Sequence, residues 1–154
     1  MKALLKLVLA VFATYTQKVL GAQAESGGQL MVPGFKSNSS YIGLGAVRYV
    51  FVGATAAGQA DRAAAVPTSS SVLGVMQNDP GIGEAMSIAY AGRSKVVAGA
   101  AVTVNAIITC QSGTGRAIAV TSGDMAAGRA LEAAGADGDV ISALLFHPVR
   151  WSGA

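Results

Sequence analysis

Two periodicities divide the chain. Over residues 1–20, Leu4, Leu5, Val8, Val11, Phe12, Tyr15 and Val19 recur at steps of three and four, the spacing that lines one face of a helix. Lys2, Lys6, Ala13, Gln17 and Lys18 make the narrower opposite stripe, and Gly21 can end the element. The pattern predicts an amphipathic helix over 1–20. So wide an apolar stripe needs a surface to cover: its own domain, a partner subunit or a membrane surface. The same segment also has the outline of a secretory signal, with a basic start, an apolar run and Ala22-Gln23-Ala24 as a cleavage site. Lys6 within the run and Gln17-Lys18 after it weigh against that reading. The uninterrupted run Leu7–Ala13 falls far short of the roughly 20 apolar residues that span a bilayer.

Residues 21–40 lose the periodicity. Gly27-Gly28, Pro33-Gly34 and Asn38-Ser39-Ser40 surround one apolar island, Leu30-Met31-Val32, and the stretch reads as an extended arm or linker. The body begins near Tyr41, and its period is two. Val47–Val52, Ser71–Met76, Glu84–Tyr90, Ser94–Val97, Ala101–Val104, Ala106–Thr109, Arg116–Thr121 and Val140–Phe146 read as short strands. Gly53–Ser70 reads as a loop, Gly92 as a strand end, and Ala127–Ala133 suits a strand or a helical turn. Asn78-Asp79-Pro80-Gly81, Gln111–Gly115 and Asp137-Gly138-Asp139 are turns, and Gly99 and Asn105 are the expected bends. Strands this closely spaced, without helical crossovers, predict a mainly β domain over 41–154, a small antiparallel β-barrel or β-sandwich.

Composition narrows the class. The 154 residues are 52% hydrophobic but only 12% charged and 6% aromatic, with 20 glycines and one cysteine. That excludes a disordered tail and a disulfide scaffold. The net charge of +3 belongs to residues 1–36, where Lys2, Lys6, Lys18 and Lys36 face only Glu25. Residues 37–154 balance seven Arg or Lys against seven Asp or Glu, so no basic face for nucleic acid is expected.

Candidate chemistry is sparse. His147, the one histidine, has no second ligand beside it for zinc. Cys110 with His147 could form a nucleophile–base pair, but a buried structural thiol is the better reading. Asp137 and Asp139, with Glu132, could attract a cation, though carboxylates so placed are usually turn formers. Gly113-Thr114-Gly115 and Gly81-Ile82-Gly83 introduce no helix and match no phosphate-binding fingerprint. No catalytic residue, cofactor site or metal site is expected.

The order of small-residue segments is more informative. Val72–Asp79, Gly83–Ile88 and Lys95–Val102 resemble the phage capsid decoration, or head cement, proteins. Gly115-Arg116-Ala117, Ala127–Ala134 and Gly138–Leu145 continue the pattern, so the resemblance spans roughly half the chain. Asn105 stands near a position where that family usually has glycine, and family members often lack an apolar amino-terminal helix. The resemblance implies a non-enzymatic structural virion protein on the outer surface of an assembled phage capsid. It would stabilise the shell by bridging major capsid protein subunits, beside neighbouring copies of itself as a trimer or other homo-oligomer, with neither nucleic acid nor membrane as a partner. Leu5, Val8, Phe12 and Tyr15 are the expected anchors of the partner interface, because large apolar side chains dominate such contacts. The alternative is a secreted or surface-exposed β-rich binding module whose first 24 residues form a cleavable signal peptide.

Overall fold

The computed structural model describes residues 28–39, 48–62, 65–68 and 71–153. The segment 1–20, the anchors Leu5, Val8, Phe12 and Tyr15, and Tyr41–Val47 lie outside the described residues. Strands β1 (Leu30–Val32), β2 (Lys36–Ser37), β3 (Phe51–Ala56), β4 (Gln59–Asp61) and β5 (Val72–Met76) come first. They are followed by β6 (Ile88–Val97), β7 (Ile107–Cys110), β8 (Ala117–Ala119), β9 (Met125–Ala130) and β10 (Val140–Arg150). Among the described residues there is no α-helix, and so none long and apolar enough to cross a membrane.

The strands form one sheet in the order β2-β4-β3-β5-β6-β10-β9-β7-β8, with β1 added to β6. The mainly β class is as expected, but the sheet is not closed into a barrel. Its path ends at β2 and β8, which are two and three residues long. Edges that short cannot build a closing ladder, and a single bridge, Ala98 with Ala117, links the end of β6 to β8.

Strand β6 joins the two halves. Ile88 and Ala89 pair with both β5 and β1, whereas Gly92–Val97 pair with β10. The sequence reading ends a strand at Gly92, but the ladder continues through it. Gly92 has φ of 92°, and a β-carbon there would collide with the Gly28 carbonyl. Glycine thus lets the strand change partners without breaking.

Both faces of the first half are buried, and residue parity sorts them. Phe51, Val72, Val75 and Ala89 share a core with Ile108, Cys110, Ala127, Ile141 and Leu145 of the second half. Val52, Met76, Ile88 and Val97 turn the other way and pack with Val50, Ala60 and Met86. Among the described residues, alanine supplies eight of the seventeen buried residues of the shared core but only Ala60 among the seven of the other cluster, which larger side chains fill.

Several boundaries differ from the sequence reading. The strand expected over Val47–Val52 starts at Phe51, because Tyr49 adopts φ of 68° and turns the chain. Gly53–Ser70 is no simple loop: it contains the end of β3 and the hairpin partner β4. Ala101–Val104 forms no strand, only a bridge from Val102 to Ala134. Of Ala127–Ala133, the residues through Ala130 belong to strand β9, and Leu131–Ala133 follow it without a helical turn. Strand β10 runs past Phe146 to Arg150 because the register slips between Leu145 and Val149, where Pro148 has no ladder hydrogen bond to lose. The expected bend at Asn105 is present, with φ of 66°.

Candidate interaction surface

An apolar island in a polar arm would be costly to leave in water, and the sheet takes it up. Leu30, Met31 and Val32 pair with Ala91, Ala89 and Ile88 of β6. No strand among the described residues pairs with the other side of β1. Leu30 and Met31 remain 54% and 42% exposed, so this edge offers both backbone groups and apolar side chains.

Pro33-Gly34 then bends the chain, with Gly34 at φ of 83°, and β2 continues in the same sense and runs parallel to β4. The turn after β5 straps onto this segment. Met86 N–H donates to the Phe35 carbonyl (2.9 Å), Ser37 N–H to the Glu84 carbonyl (2.9 Å), and Gly83 N–H to the Ser37 carbonyl (2.8 Å). Glu84 holds the strap closed by accepting from Gly81 N–H at 2.7 Å. Asn78 does so from the other side, accepting from Ser87 N–H and donating to the Ala85 carbonyl.

Between the strap and β1 lies an open groove of about 400 Å³, lined by Met31, Val32, Pro33, Phe35 and Met86, with Lys36 as the charged group at its wall. Ile82, 73% exposed, stands at the tip of the strap. Such a groove can hold apolar side chains beside a strand edge, which is the chemistry of protein recognition. The sequence reading missed it. Its signal was the island Leu30-Met31-Val32 in a segment otherwise fit only for a linker.

The chemically reactive residues are not brought together. Cys110 is buried in β7, within the core shared by the two halves, and burial pushes its thiol up to about 11. His147 is exposed on β10, with Nδ1 3.2 Å from the Pro148 carbonyl oxygen. Glu132, Asp137 and Asp139 each have separate structural duties. Glu132 accepts from Ser142 N–H, Asp137 pairs with Arg116 (2.6 Å), and Asp139 accepts from the N–H groups of Gly135 and Ala136. Among the described residues, no three His, Cys, Asp or Glu side chains gather as a metal site requires.

Neither a protein-family model nor any curated protein matches the chain. Among solved structures, it is similar to the N base of head fiber gp8.5 in bacteriophage phi29. The TM-score is 0.57 and the identity 15%, over 77% of this chain and 97% of that one. The likeness is one of fold. It covers nearly all of the head-fiber base, so the shared part is that whole unit and not a single hairpin.

Proposed function

We propose that this chain is a structural virion protein that binds the outer surface of an assembled phage capsid and stabilises it by bridging major capsid protein subunits. The observation that carries the reading is the fold shared with a phage head-fiber base over 97% of that chain. The ordered resemblance of Val72–Leu145 to capsid decoration proteins points the same way from the sequence. Burial of Cys110 away from the exposed His147 fits a protein whose work is adhesion.

The mechanism is linkage. A protein that binds the assembled shell but not its separate subunits shifts the assembly equilibrium toward the shell, by an amount set by its concentration relative to its dissociation constant. Two contacts serve this. Leu5, Val8, Phe12 and Tyr15 anchor the amino-terminal segment on a neighbouring capsid or cement subunit, and the β1 edge and its groove receive partner chain beside the sheet. Neighbouring copies form a trimer or other homo-oligomer on the shell.

The test is heating of heads that lack this protein, with and without the chain added back. The reading predicts that added protein raises the temperature at which heads release their contents. Full occupancy without any such shift would leave an attached protein that does not stabilise, against the proposal.

A further inference from the structure

The outward face of the second half of the sheet carries a cationic patch that the contacts described so far do not use. Arg93 and Lys95 of β6 and Arg129 of β9 are all exposed. Arg48 pairs with Asp79 and Arg116 with Asp137, and among the described residues none of these three cations has a carboxylate partner. Their inward neighbours Ser94, Val96, Gly128 and Ala130 are buried, so strand alternation points all three the same way.

Register brings them around one side chain. Leu144 of β10 lies opposite Arg93 on β6 and opposite Arg129 on β9. Strands about 4.8 Å apart thus set an Arg–Leu–Arg row roughly 10 Å across. Ser142 lies opposite Lys95 in the next row of the same face. Beside it, Leu131 donates its N–H to the Ser142 carbonyl at 2.9 Å. Leu144 and Leu131 are 45% and 37% exposed. Glu132, next to Leu131, is engaged by accepting from Ser142 N–H.

The guanidinium groups are positioned but not satisfied. One nitrogen of Arg129 donates to the Asn105 carbonyl at 3.2 Å, and one of Arg93 reaches the Ser142 hydroxyl at 3.5 Å. Each guanidinium has five N–H donors, so most have no partner among the described residues and can make a forked contact with a carboxylate. The Lys95 ammonium lies 5.8 Å from the centre of the Tyr49 ring, which holds it near the sheet.

We infer that this face docks a carboxylate-bearing protein surface: acidic side chains meeting Arg93 and Arg129, with an apolar residue over Leu144. Charge complementarity selects the acids, and the exposed leucines select a protein. Arginine around an apolar centre is the composition of a protein-recognition core. A phosphate backbone would leave Leu144 and Leu131 in water, and three cations on a body with no net charge are a small footprint for nucleic acid. The inference rests on the capsid-binding reading and deepens it, since it gives the shell partner's chemistry and the surface that meets it.

The experiment uses the full chain and isolated heads lacking it, with bound fraction measured by sedimentation at about 0.15 M salt. The pair R93E/R129E should weaken binding by about 20-fold or more, R93A/R129A by less, and the distant exposed control R150E by under about 3-fold. Each variant is checked for an unchanged unfolding midpoint. A wild-type chain that binds heads, with R93E/R129E binding equally well, overturns this inference and leaves the capsid reading standing. A wild-type chain that ignores heads overturns the capsid reading itself. Retention on duplex DNA that R93E/R129E abolishes would reassign the face to nucleic acid and overturn the protein partner.

Discussion

Phe51 N–H donates to the Gly115 carbonyl at 2.7 Å, while the Phe51 carbonyl fills the space that a β-carbon on Gly115 would need. The contact binds the first half of the sheet to the turn between β7 and β8, and Gly115 makes it with φ of 67°. Only glycine offers both that conformation and that closeness.

Gly115→Ala should therefore cost about 2–4 kcal/mol, from left-handed strain and the clash together. Gly113→Ala is the control: it has a similar φ of 76° but open space around it, so about 1 kcal/mol is expected. Urea unfolding of the two variants separates these contributions. Equal losses would show that the Phe51 contact contributes nothing beyond strain.

Cys110 makes stability depend on pH at the alkaline end. The folded chain keeps its buried thiol protonated up to about 11, whereas an unfolded thiol ionises near 9.0. The unfolded chain loses its proton first, so this contribution is whole below about pH 9 and disappears as pH rises through about 11, a loss of roughly 2 kcal/mol. Unfolding curves for the wild type and Cys110→Ala across that window should converge as pH rises. A constant gap between them would contradict the burial argument. In the native state the thiol should also label slowly with a thiol reagent.

Asp124 fastens the start of β9. Its carboxylate accepts from Thr121 N–H (3.0 Å) and from the Thr121 hydroxyl (2.6 Å), and its carbonyl accepts from Trp151 N–H (2.7 Å). Asp124→Ala removes the first two and should cost about 1–3 kcal/mol, with Asp124→Asn losing less because one acceptor oxygen remains. Thermal unfolding reads the difference. Two variants of equal stability would mean that Thr121 is satisfied by water.

Much of the fold was legible because strand signals are local. The runs read as Ser71–Met76, Ala106–Thr109 and Val140–Phe146 lie between turn residues, and each became a strand with one or both ends shifted by a residue or more: β5, β7 and β10. The failures are long-range. Nothing local in Gly92 says that its missing side chain accommodates Gly28, and nothing in Val47–Val52 says that Tyr49 must turn before a strand begins. The groove was hidden for the same reason: Met31 and Phe35 meet Met86 only after the turn following β5 folds back on the arm. The Arg93–Leu144–Arg129 row needed register, which no sequence period supplies.

Attachment through the amino-terminal anchors has its own test. Replacing Leu5, Val8 and Phe12 together by Ser should lower head occupancy about tenfold or more. The β body should keep its unfolding midpoint. Unchanged occupancy would remove these residues from the contact.

The central claim is adhesion to an assembled lattice, and sedimentation tests it most directly. The native chain, mixed with assembled heads and separately with dissociated capsid subunits, should pellet with the heads and stay apart from the subunits. Equal binding to both, or to neither, would contradict the account.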